Sequence, residues 1–381
     1  MKIALFTDTF TPDVNGVANT LKRFTDHLKT KNIPFRVFAP EGTNDDLFSA
    51  NIHRFASLPF FLYPECRLAL PNMLKIKASL QAFQPDIIHV ATPFNMGLCG
   101  LHYAKKMNIP IVGSYHTDFD QYLKYYDLEI LSSLLWKYMN WFHQSLRCIF
   151  VPSPSTKEQL QRQGFTNVSI WSRGVDAALF QPYYDRFDVR IKYNIKRPYI
   201  LTYAGRLAPE KNLDLLMKIA QSLPAHIKHQ THWIIVGDGP LKEELQKKSL
   251  KHMTFTGFLN KEQLANVYAA SDLFVFPSAT ETFGNVVLES LASGTPAIAA
   301  NAGGVKHIIQ HDRTGYLCDP DSVSQFVHYI TFCLENLHKR IQLGHQARQY
   351  ALTQTWETIF DGLLSQYEAA LGQQTDSIQL A

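Results

Sequence analysis

The 381-residue chain has few of the features that mark membrane, secreted or nucleic-acid-binding proteins. No run approaches eighteen consecutive apolar residues, so no transmembrane helix is expected. The chain opens directly on the strand-like KIALFTD, without basic, apolar and cleavage regions in signal-peptide order, and cytoplasmic residence is the expectation. The five cysteines (Cys66, Cys99, Cys148, Cys318, Cys333) are scattered and odd in number, with no CxxC pair and no Cys/His metal spacing. They read as reduced packing residues. A formal charge of +4 suits anionic ligands or an anionic membrane surface but is too weak to argue for nucleic acid. Neither Asn15-Gly16-Val17 nor GDGP at 237 to 240 completes a GxGxxG pattern, which disfavours a dinucleotide dehydrogenase. No GxSxG elbow and no DxD-like acidic pair in a metal-binding context is present, so no metal is expected. Phosphate charge would fall to cationic side chains and helix N-termini.

Apolar content of 46% against 18% charged is that of a globular protein, and the length suits two domains. KIALFTD, FRVFAP, DIIHVAT, IPIVGSYH, CIFVPSP and VSIWSRGV are apolar strands, several of them separated by helical segments such as 17 to 29, 72 to 83 and 97 to 107. The alternation restarts at PYILTYAGR and runs through THWIIVGDG, MTFTGF, DLFVFP and TPAIAA, with helical segments between. Buried strands alternating with helices predict two doubly wound parallel sheets with a cleft at their carboxyl edges. The expected domains are 1–175 and 176–350. Residues 173 to 197 serve as connector and hinge, and 351–381 form a helix crossing back to the first domain, with a tail.

Chemistry concentrates in TETFGNVVLESLASGTP, residues 280 to 296, directly after DLFVFP. Glu281 would precede a helix that carries Glu289, with the Phe283-Gly284-Asn285 turn between them. The first N–H groups of that helix suit phosphate or sugar oxygens. A carboxylate in its second turn can accept two hydrogen bonds from vicinal hydroxyls such as those of a ribose. The plainer reading makes Glu281 a solvated loop acid and Glu289 a helix-surface pair. Arg206 and Lys211 in AGRLAPEKN offer a planar fork and a point charge on one loop, suited to a diphosphate, or else a solvated loop pairing with Glu210. Gly16, at a helix start, allows close approach of backbone to a phosphate. His116, with Asp118 and Asp120 nearby, stands at a strand's carboxyl end, and Ala302-Gly303-Gly304-Val305 offers a second glycine cradle.

GRLAPEKN, ETFGNVVLE, NGV in the first loop, SYHTD and GVD together resemble the retaining GT-B glycosyltransferases of family 4, over nearly the whole chain. TDTFTPDVNGV, YPECRLALP, SYHTDF and WSRGVD look closest to the GDP-mannose-dependent α-mannosyltransferases. They are also similar to the diacylglycerol glucosyl- and sulfoquinovosyltransferases. The resemblance implies an α/β GT-B fold and a metal-independent hexosyltransferase. Its donor would be of GDP-mannose or UDP-glucose type, and its acceptor a sugar or a lipid such as diacylglycerol bound by the first domain. It implies that Arg206 and Lys211 hold the diphosphate, Glu289 the ribose, and Glu281 the donor sugar beside the backbone of Phe283, Gly284 and Asn285. His116 would touch the donor sugar and Gly16 the phosphates. Phe258, in the Gly257-Phe258-Leu259 turn, is the candidate for the base. Asn285 stands where many relatives carry an apolar residue, which bears on sugar selectivity. The aromatic, basic stretch 122 to 147 and LPFFLYPECRLALP are the candidates for peripheral contact with an anionic membrane at its inner face, with a core helix as the plainer reading of the former. The alternatives are a non-hydrolysing sugar-nucleotide epimerase and a catalytically dead sugar-nucleotide-binding protein.

Overall fold

The computed structural model describes residues 1–13, 15–41, 50–59, 67–116 and 132–378. Two compact units emerge: Met1–Ser172 with Glu357–Ala381, and Arg173–Trp356. The second unit therefore starts at 173 and ends at 356, against the expected 176 and 350. The segment read as connector belongs to it, carrying a short helix, Arg186–Lys192, and a bridge from Val175 to Thr355.

In the first unit the strands are β1 (Ile3–Phe6), β2 (Phe35–Pro40), β3 (Ile52–Phe55), β4 (Ser57–Pro59), β5 (Arg67–Ala69), β6 (Ile87–Val90), β7 (Ile111–Ser114), β8 (Ile149–Val151) and β9 (Val168–Ile170). Among the described residues, seven form one sheet in the order β3-β2-β1-β6-β7-β8-β9, every pair parallel. The fully buried IALF and, apart from His89, IIHV explain why: a strand covered by helices on both faces takes mainly apolar residues. β4 and β5 pair antiparallel as a separate hairpin, three residues a side, too short to show periodicity in the sequence.

The C-terminal helix Trp356–Ile378 packs on this first unit, burying Phe360, Leu363, Tyr367 and Ala370. Phe360 and Tyr367 meet Phe24 of the helix Gly16–Thr30, and His27 Nε2 lies 2.8 Å from Asp361 Oδ1. At the centre, His89 joins Tyr367 Oη through Nδ1 and Ser114 Oγ through Nε2, the latter at 2.5 Å. Burial pushes the His89 imidazole down to about 3, so it is neutral and works as a hydrogen-bonding bridge. Tyr367→Phe leaves one buried ring nitrogen unsatisfied. It should cost about 1–3 kcal/mol, read in urea unfolding followed by tryptophan fluorescence.

The second unit contains β10 (Tyr199–Ala204), β11 (Thr231–Val236), β12 (Met253–Gly257), β13 (Leu273–Phe276), β14 (Ala297–Ala300) and β15 (Gly315–Cys318). They pair in the order β12-β11-β10-β13-β14-β15, again all parallel. The chain builds outward from β10 through β11 to β12, then returns to the other side of β10 with β13. The strand order thus reverses between β10 and β13, where doubly wound sheets open a ligand crevice at their carboxyl edge. The four described cysteines, Cys99, Cys148, Cys318 and Cys333, are free thiols, in keeping with their reading as packing residues. No described helix is long and apolar enough to cross a membrane.

Candidate functional site

The loop after β10 and the loop after β13 flank that reversal. Pro209–Lys211 forms one turn of 3-10 helix, closed by Asn212 in the left-handed region. This turn aims Lys211 at the neighbouring loop, where its Nζ donates to Glu281 Oε1 at 2.5 Å with both side chains about four-fifths buried. The two loops are laced by hydroxyls: Thr280 Oγ1 donates to the Glu210 carbonyl at 2.9 Å and Ser278 Oγ to the same oxygen at 3.4 Å. Glu281 is thus paired and mostly buried, not the solvated loop acid of the plainer reading. Arg206, on the same loop as Lys211, is exposed, and its carbonyl accepts from the buried Tyr203 hydroxyl at 3.2 Å.

Gly284 precedes the helix Asn285–Ala292 with φ +106°, and a Cβ there would stand 2.8 Å from Val305 Cγ2. Only glycine enters this turn without strain. The helix buries Val287, Leu288 and Leu291 against the sheet, which leaves Asn285 in its first turn and Glu289 in its second, both half-buried. The Asn285 Oδ1 atom is buried without a hydrogen-bonding partner among the described residues. Phe283 packs partly into the core. Phe258 is 73% exposed just after β12, two strands from β10 and so about 10 Å across the sheet edge.

Gly303 and Gly304 are close-packed against the loop of Glu281. Gly304 N donates to the Glu281 carbonyl at 2.7 Å, and Cβ atoms on the two glycines would meet Glu281 O at 2.4 Å and Thr282 O at 2.3 Å. Their backbone is pressed against the loop that carries Glu281, which it supports from behind. Gly304→Ala should therefore cost about 1–3 kcal/mol of stability and displace Glu281, read as a lowered Tm with reduced turnover.

In the first unit, Gly16 opens its helix at the carboxyl end of β1, exposed, with open space where a Cβ would be. Asn15 caps that helix, its Oδ1 accepting from Ala18 N at 2.8 Å. His116 follows β7 and packs edge-on against Trp171, ring centroids 5.3 Å apart. Asp118 and Asp120 lie outside the described residues. Asp8, in the same β1 loop as Gly16, was not singled out by its sequence context. It is buried, accepting from Thr92 Oγ1 at 2.6 Å and from Met96 N at 2.9 Å, and so caps the helix Asn95–Met107, whose own N-cap, Phe94, supplies no side-chain acceptor. Burial raises the Asp8 carboxyl to about 6 against the pull of these hydrogen bonds.

The chain thus forms two Rossmann-like units, with a cation and a carboxylate paired across the switch point of the second. The chain belongs to the glycosyltransferases: residues 14–179 match Glycosyltransferase Family 4 and residues 185–350 match Glycosyl transferases group 1. It is 32% identical over 382 residues to a GDP-mannose-dependent alpha-mannosyltransferase of Mycobacterium tuberculosis, covering 98% of each chain. It is also 31% identical to the sulfoquinovosyl transferase SQD2 of Arabidopsis thaliana, over 94% of this chain and 71% of that one. Its fold is shared with Anabaena HepE, solved in complex with UDP, at a TM-score of 0.78 and 20% identity, covering 97% of this chain and 100% of that chain.

Proposed function

We propose that the protein transfers a hexose from a nucleoside diphosphate sugar to an acceptor hydroxyl, with retention of configuration and without a metal. The observation that carries this is the Lys211–Glu281 pair at the β10/β13 reversal, a cation for the diphosphate beside a carboxylate for sugar hydroxyls. Arg206, Lys211 and the N–H groups opening the helix Asn285–Ala292 take the charge of the leaving phosphate. Glu281 and the carboxamide of Asn285 face sugar hydroxyls, Glu289 the ribose, and Phe258 the base. Roles for His116 at the sugar and Gly16 at a phosphate rest on the family resemblance. As the anomeric C–O bond breaks, the electron pair leaves with the nucleoside diphosphate. The acceptor oxygen bonds to the same face of the anomeric carbon, and its proton passes to the departing phosphate oxygen.

Relatives named for GDP-mannose and for sulfoquinovosyl and glucosyldiacylglycerol products favour a hexose donor and a glycolipid-type acceptor. A peripheral membrane contact from a cytoplasmic location is part of the proposal. On the first unit, Leu58, Leu70 and Leu74 are exposed near Arg67 and Lys75. The helix Ser132–His143 buries Met139 and Phe142 but exposes Leu134 and Trp141, so it is part core and part surface. The flanking 122 to 131 and 60 to 66 lie outside the described residues. Flotation with anionic and neutral vesicles checks this part: binding that requires anionic lipid is expected, and absence from both vesicle fractions removes it.

Incubation with a panel of nucleotide sugars tests the main reading. Slow release of GDP or UDP from one donor without acceptor, accelerated by a lipid or sugar acceptor, is expected. Isomerised donor with no release would point to an epimerase, and binding without any turnover to a dead site.

A further inference from the structure

Beneath the helix Asn285–Ala292 lies the helix Lys261–Ala270, and its Tyr268 is buried completely. The phenol ring is fixed edge-on to Phe274, centroids 5.4 Å apart, and tilted against Phe180 at 6.1 Å. The backbone is held as well, since Thr295 Oγ1 donates to the Tyr268 carbonyl at 2.6 Å. Yet the Tyr268 hydroxyl has no hydrogen-bonding partner among the described residues. Buried phenols usually find one, because an unmet donor in an apolar interior is costly. The other buried tyrosine under this edge, Tyr203, does find one, donating to the Arg206 carbonyl.

Glu289 is carried by the Asn285–Ala292 helix that packs against the helix of Tyr268, and its carboxylate acts electrostatically on the phenol, as the Tyr203 hydroxyl does. Burial first, and then Glu289, hold this phenol protonated far above neutral pH, so it can only be a donor beside an acceptor. A carboxylate has two oxygens and about four acceptor positions, more than two ribose hydroxyls fill.

We propose that Tyr268 is a positioning residue for Glu289: in the nucleotide-bound protein its hydroxyl donates to one carboxylate oxygen of Glu289 while the other accepts the ribose hydroxyls. This rests on the assignment of Glu289 to the ribose. A hydrogen bond that forms only when the carboxylate turns to its ligand makes ribose recognition depend on a residue that never touches the nucleotide. It also gives a reason for keeping a tyrosine where phenylalanine would pack equally well and leave nothing unpaired.

The test is a titration of GDP and UDP, each against its 2′,3′-dideoxy form, into wild type, Tyr268→Phe, Glu289→Gln and the double variant. Tyr268→Phe removes only an unpaired hydroxyl, so its Tm should equal or exceed that of wild type. Its affinity for the ribonucleotide should fall about tenfold, as for a lost hydrogen bond to a charged group. Affinity for the dideoxy form should not change, and the substitution should have no further effect in the Glu289→Gln background. Equal weakening of both nucleotides, or an unchanged ribose preference, overturns the role of Tyr268 while leaving Glu289 in place. A wild type without ribose preference overturns the Glu289 assignment itself, and this inference with it.

Discussion

Lys211→Ala is expected to lower kcat/KM by roughly 100- to 1,000-fold while the protein stays folded, the loss typical of removing one preorganised donor from developing negative charge. Lys211 sits on a one-turn 3-10 segment whose neighbouring Glu210 carbonyl is held by two hydroxyls from the facing loop, so its Nζ is placed before any ligand arrives. Preorganisation gives the charge its value, because the reaction then spends nothing on bringing it into position. Lys211→Arg should recover little, since a planar fork cannot reproduce a point charge 2.5 Å from Glu281 Oε1. Steady-state kinetics with circular dichroism as the folding control makes the comparison. Unchanged turnover in a folded Lys211→Ala protein would remove the lysine from the mechanism.

Glu281→Gln should split binding from turnover. In the free protein the carboxylate neutralises Lys211 and would stand close to an incoming diphosphate. Replacing it with a neutral amide removes the like-charge repulsion and releases the lysine. Affinity for free GDP or UDP should then rise severalfold, an effect of about 1 kcal/mol for a half-screened charge. Turnover should drop by about 100-fold, because the acceptor for the sugar hydroxyls is weakened in the transition state. Nucleotide affinity and kcat measured side by side decide it. Parallel losses in both would make Glu281 a structural partner of Lys211 and nothing more.

How much of this was legible beforehand depends on the range over which each feature acts. The parallel sheets could be read because strands covered on both faces are apolar throughout, as IALF, LFVF and AIAA show. Glu281, Lys211 and Arg206 could each be placed at a strand's carboxyl end. The ion pair could not be read, because it joins residues 70 apart and depends on β13 returning beside β10, a fact of strand order. Gly303 and Gly304 signal close backbone approach without saying what approaches. Here the Glu281 loop does. Asp8 is the reverse case, an acid in a glycine-bearing first loop whose partners, Thr92 and Met96, lie over eighty residues on. Tyr268 gave no signal at all, since its unpaired hydroxyl exists only in three dimensions.

The central claim is that the crevice over β10 and β13 holds a nucleoside diphosphate through Lys211. Calorimetric titration of GDP and UDP into wild type and Lys211→Ala tests it most directly. The account predicts saturable binding of at least one of the two to wild type, weakened about tenfold or more in the variant. Equal affinity in the two folded proteins would contradict it.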